Sequence, residues 1–197
     1  EVTFEMLQGT PRTIPAAQIL RIEDADYNFL SSLDAFQTSQ KKIIIHTHCH
    51  WPARRWATAK WITLLQKIHA DGNVRFIFVG AKGEDAQYKE IASRLNFKTY
   101  SLIGETNLWE LFLALYKADY FIGIDSGPHN VAHLADTPSV VIFGPGPRMY
   151  TPPNPRDKVV DKSRGRGLFQ MFFRTKHPFI DDVEAREVYE AFKSLVP

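Results

Sequence analysis

A chain of 197 residues, 44% hydrophobic and 23% charged, has ordinary globular composition and length for one sizeable core. Its 24 Lys and Arg against 22 Asp and Glu leave a formal charge of +2, which excludes the strongly basic balance of a nucleic-acid binder; any anion site must come from local placement. One cysteine makes no internal disulfide, and with no signal-peptide core and no apolar run near about 18 residues the sequence points to a soluble, reducing compartment, the cytoplasm.

Residues 1–40 are polar and weakly periodic, and they read as a linker or inter-domain segment of something longer, since the chain opens on Glu1 rather than Met. From 41 to 161, short β-branched or aromatic runs alternate with helical patterns, the signature of βαβ units. The predicted strands are KKIIIH (41–46), VRFIFV (74–79), KTYSL (98–102), YFIGI (120–124), SVVIF (139–143) and DKVVD (157–161). Between them the apolar spacing changes to that of helices: Trp61, Leu64, Leu65 and Ile68; Tyr88, Ile91, Ala92 and Leu95; Leu108, Leu111, Phe112 and Leu115. The predicted fold is a Rossmann-like, doubly wound α/β parallel sheet of about six strands with helices on both faces. Residues 162–197 read as a wrap-around tail ending in a helix with Val188, Ala191, Phe192 and Leu195 inward. The basic aromatic stretch RGRGLFQMFFR in that tail reads as packing on its own domain, with peripheral contact to an anionic membrane as the alternative.

A doubly wound sheet of order 3-2-1-4-5-6 binds ligands beyond the carboxyl ends of its strands, where strands one and four diverge. The loops at that point are HTHCHWPARR and DSGPHN, and GAKGE, GETN and GPGPRMYTPPNP open on the same edge. A ligand crevice accounts for all five better than five independent turns do.

The first of these loops has two readings. His46, His48 and His50 at a strand end suggest imidazole ligands to a metal, but such sites need further partners. An amidohydrolase barrel takes about 250 residues, and where other hydrolases place an aspartate and a histidine this chain has Trp51 and Pro52. No metal and no other cofactor is therefore expected, and a metal-dependent hydrolase ranks last among the functional readings. Read for anions, the loop puts Arg54 and Arg55 at the start of the following helix, where the dipole and backbone N–H groups favour negative charge and guanidinium adds bidentate hydrogen bonding. The bland alternative is a solvated helix start with two surface arginines. Trp56 and Trp61 read as core.

In DSGP (125–128), Pro128 suits a first helical turn, Ser126 or Asp125 can cap, Gly127 lets a ligand approach the backbone, and Val131, Leu134 and Ala135 can face inward. Asp125 suits a polyhydroxylated group rather than a phosphate, because two anions repel. Glu84, four residues after Gly80, is placed to accept from ribose hydroxyls. The absence of GxGxxG, GxxxxGK[ST] and GxSxG argues against a nicotinamide dehydrogenase, a P-loop NTPase and an α/β-hydrolase.

The ungapped run GETNLWELFLALYKADYFIGIDSGPHNVAHLADTPSVVIFGP resembles the carboxyl-terminal domain of glycosyltransferase family 9, the heptosyltransferases, through Asp125, Ser126, Gly127 and Pro128, then Ala132, Thr137, Pro138, Phe143, Gly144 and Pro145. ARRWATAKW is similar to the family's K-R-W-x-x-x-x-W helix start and GAKGE to its G-x-x-x-E, so the likeness covers residues 41 to about 160. The resemblance implies one half of a GT-B architecture, binding a nucleotide sugar, usually ADP-heptose. A separate amino-terminal Rossmann-like domain, in the same chain or a partner, would supply the acceptor site and catalytic carboxylate. It implies Arg54 at the phosphates, Glu84 at the ribose, Thr106 at the adenine, Asp125 at the sugar, and Ser126 with Gly127 at the diphosphate. Arg54 and Asp125 then carry the catalytic contribution of this half, and His48, His50 and Asn130 join the donor-binding positions. The expected acceptor is a cell-envelope glycan such as lipopolysaccharide core, glycosylated in the cytoplasm or at the inner face of its membrane. Asn130 stands where the family has histidine, and the family loop H-P-G-x-[ST] is His46, Thr47, His48, Cys49, His50. Those departures leave open a changed donor, or a family-like binding or assembly module without catalysis.

Overall fold

Three consecutive isoleucines, Ile43 to Ile45, are fully buried, the mark of a central parallel strand covered on both faces. The computed structural model describes residues 24–144, 154–162 and 179–196. Their strands are β1 (Lys41–His46), β2 (Val74–Phe78), β3 (Tyr100–Ser101), β4 (Tyr120–Ile124), β5 (Ser139–Phe143) and β6 (Asp157–Asp161). They form one 6-stranded sheet in the order β3-β2-β1-β4-β5-β6, with every described pairing parallel. The helices are α1 (Asp24–Ser32), α2 (Thr58–Asp71), α3 (Ala86–Arg94), α4 (Leu108–Lys117), α5 (Gly127–Leu134) and α6 (Ala185–Lys193).

Strand alternation divides the core into two layers. Ile43 and Ile45 face a cluster with Trp61, Leu64, Leu65 and Ile68 of α2, Ile91 of α3, and Val188 and Phe192 of α6. Ile44 faces the opposite cluster, with Phe112 to Leu115 of α4, Ala132 of α5 and Leu30 of α1. Trp56 and Trp61 meet edge to face at 4.9 Å in the first layer, as core residues.

Four strands have the predicted bounds. The edge strand β3, paired on one side only, is two residues rather than KTYSL. Two helix phases differ from the periodicity. Leu108 is 72% exposed and Leu134 52%, while Leu113, Ala114, His129 and Ala132 take the inward positions. An Asn107–Glu110 capping box fixes where α4 begins, and this turn puts Leu108 at the rim of a cavity instead of under the sheet. Residues 24–36, read as linker, carry α1 and bury Leu30 and Ala35 in the second layer. Residues 145–153 of the GPGPRMYTPPNP loop (144–155) and the RGRGLFQMFFR stretch lie outside the described residues.

β4 is pressed hardest at Gly123, opposite His46 of β1. A Cβ there would lie 2.4 Å from the Phe121 ring and 3.2 Å from the His46 carbonyl oxygen. Phe121 is itself fully buried and cannot swing away. Gly123→Ala should therefore overpack the core and cost about 1–3 kcal/mol. Urea denaturation measures this; an unchanged midpoint would show that the sheet yields there.

Candidate functional site

The right-handed crossovers leave β1 and β4 toward opposite faces, and a cavity of about 630 Å³ opens beyond their carboxyl ends. The β1 loop contributes His46, His48, His50 and Arg54; the β2 loop Glu84; the turn before α4 Thr106; the β4 loop Asp125, Ser126 and Gly127. Eight of the nine positions marked by the sequence as donor-binding therefore line one space. The ninth, Asn130, is exposed on α5 and is not among its lining residues.

Glu84 lies at the centre of one wall. Gly83, at φ +90°, turns the chain back, and Gly80 leaves room for the carboxylate: a Cβ on Gly80 would sit 3.0 Å from Oε2. That oxygen accepts the Ala81 backbone N–H at 2.8 Å. Nε2 of His46 is 3.9 Å from Oε2, while His48 Nε2 and His50 Nε2 are 3.7 Å and 3.5 Å from Oε1. The His46 imidazole, then the Ala81 N–H and the His48 ring, pull the Glu84 carboxyl down to about 2 against the opposing effect of burial. Glu84 is thus a fixed anion at neutral pH. Burial pushes the His48 imidazole below its ordinary value despite Glu84, so it is neutral there.

His46 closes the switch point from behind. Its Nδ1 is 2.9 Å from Ser126 Oγ, and that hydroxyl also donates to the Ile124 carbonyl at 3.1 Å. Ser126 occupies the N-cap position of α5 but makes no side-chain cap bond, because its hydroxyl is turned to β1 and β4. The start of α5 therefore meets the cavity without a capping side chain. Space beside Gly127 is open, with nothing within 4 Å of an added Cβ.

Arg54 differs from its sequence reading in one respect. It ends a short 3₁₀ turn, Pro52–Arg54, and α2 starts four residues later at Thr58, so the α2 dipole does not act at Arg54. Pro52 favours this separate turn, and Trp56 anchors the chain after it by donating to the Val183 carbonyl at 2.9 Å. The Arg54 guanidinium reaches the cavity over the Trp51 ring, and Nη1 is 3.7 Å from Asp125 Oδ2. Arg55 leaves the cavity to donate to the Cys49 carbonyl.

Behind Asp125 is a residue that the sequence reading did not use. His129 is fully buried, with Nε2 3.1 Å from Asp157 Oδ2 on β6 and Nδ1 3.9 Å from Asp125 Oδ1. Its place four residues after Asp125, in the first turn of the helix that follows, was the available signal. Asp125 thus stands between a guanidinium in front and an imidazole behind. With its hydroxyl-accepting carboxylates, a cation and a helix start, the cavity suits a ligand that carries both hydroxyls and negative charge.

An open parallel sheet of this order with a polar crevice at its switch point defines a Rossmann-like α/β domain. The chain belongs to glycosyltransferase family 9: the family model described as glycosyltransferase family 9 (heptosyltransferase) matches residues 10–167. It is 27% identical over 161 residues to the lipopolysaccharide core heptosyltransferase OpsX of Haemophilus influenzae, covering 81% of this chain and 46% of that protein. Lipopolysaccharide heptosyltransferase 2 of Salmonella typhimurium is 30% identical over 157 residues, 74% of this chain and 43% of the relative. The chain thus spans about half the length of these curated relatives. In fold it matches the E. coli ADP-heptose lps heptosyltransferase II structure with a TM-score of 0.74 at 21% identity, over 89% of this chain and 52% of that one.

Burial by itself would lower the His129 pKa, but Asp125 and Asp157 outweigh it and hold the imidazole above its ordinary 6.5. A raised pKa means that its stabilising contribution is full below pH 6.5 and is lost as pH rises through the raised value. The urea midpoint of the native protein should therefore fall from pH 6.5 upward more steeply than that of His129→Gln. Parallel profiles for the two proteins would remove His129 from the pH response.

Proposed function

We propose that this chain is the donor-binding domain of an inverting glycosyltransferase that takes a nucleotide-diphosphate sugar, ADP-heptose by analogy with its relatives. The observation that carries this reading is the meeting of Arg54, the open start of α5 and the carboxylates of Glu84 and Asp125 in one cavity. Glu84 accepts from the ribose hydroxyls and Thr106 borders the base. Arg54 and the start of α5 face the diphosphate, and Asp125 accepts from the sugar hydroxyls.

In the reaction an acceptor hydroxyl attacks the anomeric carbon while the bond from that carbon to the diphosphate oxygen breaks. The electron pair leaves with the nucleoside diphosphate, and the hydroxyl proton goes to a base on an amino-terminal domain, in the same chain or a partner. Arg54 and the helix start stabilise the growing charge on the leaving group, so that step requires no metal. The acceptor, by the names of the relatives, is lipopolysaccharide core, and the reaction belongs to the cytoplasmic side of the membrane. No helix among the described residues is long and apolar enough to cross one.

Calorimetry on the full-length protein with ADP and UDP nucleotides tests the proposal. One nucleotide should bind, and Arg54→Ala should weaken it at least about 10-fold by removing a charge-assisted contact. No response to any nucleotide would overturn the donor reading and favour a binding or assembly module of the same fold.

A further inference from the structure

The histidines of the β1 loop are more than the donor reading requires. Within the β1 loop His46 is turned to Ser126, but the fold brings a third donor to His48 and His50 from the loop after β2. Ligand atoms of His48, His50 and Glu84 all lie within 4.8 Å of one another. We infer that His48 Nε2, His50 Nε2 and Glu84 Oε1 form a binding site for a divalent transition-metal ion of the zinc class, at the mouth of the crevice.

Donor spacing selects the geometry. Metal–ligand bonds of about 2.0–2.2 Å imply ligand–ligand edges of about 3.3–3.6 Å in a tetrahedron, against about 2.8–3.1 Å between adjacent ligands of an octahedron. The two edges to Glu84 Oε1 are 3.7 Å and 3.5 Å, within a few tenths of an ångström of the tetrahedral range. The remaining edge between the imidazoles closes by movement of His50, whose side chain is 93% exposed and has room to turn. Two imidazoles and one carboxylate suit zinc and are poor ligands for magnesium or calcium, which take oxygen shells. Three protein ligands leave a fourth position for water or a ligand hydroxyl, facing the cavity.

The carboxylate is also held as a metal ligand is held. Oε2 accepts from Ala81 and faces His46, which fixes the orientation of the group and leaves Oε1 toward the two histidines. His48 is partly buried and belongs to the wall, so only His50 has to be recruited. The inference is independent of the donor reading, because it concerns an ion bound without nucleotide.

The test is zinc uptake by the full-length protein after chelator treatment, with no nucleotide present, followed by calorimetry and by the visible spectrum of the cobalt(II) form. One ion per chain and the intense d–d absorption of tetrahedral cobalt are expected. His50→Ala, at an exposed position that does not bear on folding, should weaken zinc at least about 100-fold, beyond the 10–100-fold cost of losing an outer-shell partner. Glu84→Gln should remove the tetrahedral cobalt spectrum. No uptake by the native protein, or uptake unchanged in both variants, overturns the proposal and leaves nucleotide binding untouched.

Discussion

β1 is hydrogen-bonded to β2 on one side and β4 on the other, and the chain departs from β1 and β4 toward opposite faces of the sheet. Everything chemical in this domain follows from that divergence. It opens a gap that no crossover helix covers, and it brings the ends of three non-adjacent segments to a common wall. The register then fixes the details: His46 pairs with Gly123, two residues before Asp125, so the β1 loop meets the start of α5 side by side. Gly123 permits this because a larger residue would collide with Phe121, the ring that packs beneath His129. Core packing and site geometry are therefore one constraint at this point.

Charge within the crevice is balanced locally, not globally. A net charge of +2 says little about a cavity in which Arg54 faces Asp125 and imidazoles surround Glu84. Each carboxylate is held by a different set of partners. Glu84 relies on His46 and a backbone N–H, Asp125 on Arg54 in front and on His129 behind, which in turn is held by Asp157. The Asp157–His129–Asp125 series links the outer strand β6 to the cavity through a helix, so the stability of the sheet edge and the posture of Asp125 depend on the same imidazole.

The strands were legible because each is a β-branched or aromatic run of the right length, and the order expected of a doubly wound fold is the one found. Helix phase was less legible. The motif Leu108, Leu111, Phe112, Leu115 fits an inward stripe, yet the capping box at Asn107 and Glu110 orients the first turn toward the cavity and leaves Leu108 outside. Helix α1 was missed because a nine-residue helix with little apolar patterning derives its order from packing on α4, and packing is invisible in a linear pattern. Glycine, serine and aspartate at 125–127 announced the site, whereas the meeting of His48 and His50 with Glu84 did not. Those residues are separated by more than thirty positions, and only the pairing of β1 with β2 makes them neighbours.

That meeting also gives the two proposals a common element. A ribose hydroxyl and a zinc ion both seek Glu84 Oε1, the oxygen not engaged by Ala81. If the hydroxyl replaces water in the fourth position, the two ligands strengthen each other; if it must take the same lone pair, they exclude each other. Linkage makes the effect reciprocal in either case, because whatever factor zinc imposes on the nucleotide, the nucleotide imposes on zinc. The geometry favours exclusion. Oε1 already faces two imidazoles at 3.5 and 3.7 Å, and an ion drawn in among these three donors occupies the approach that a ribose hydroxyl would use. On the two proposals together, His48 and His50 make Glu84 a group for which a metal ion and a ribose hydroxyl compete.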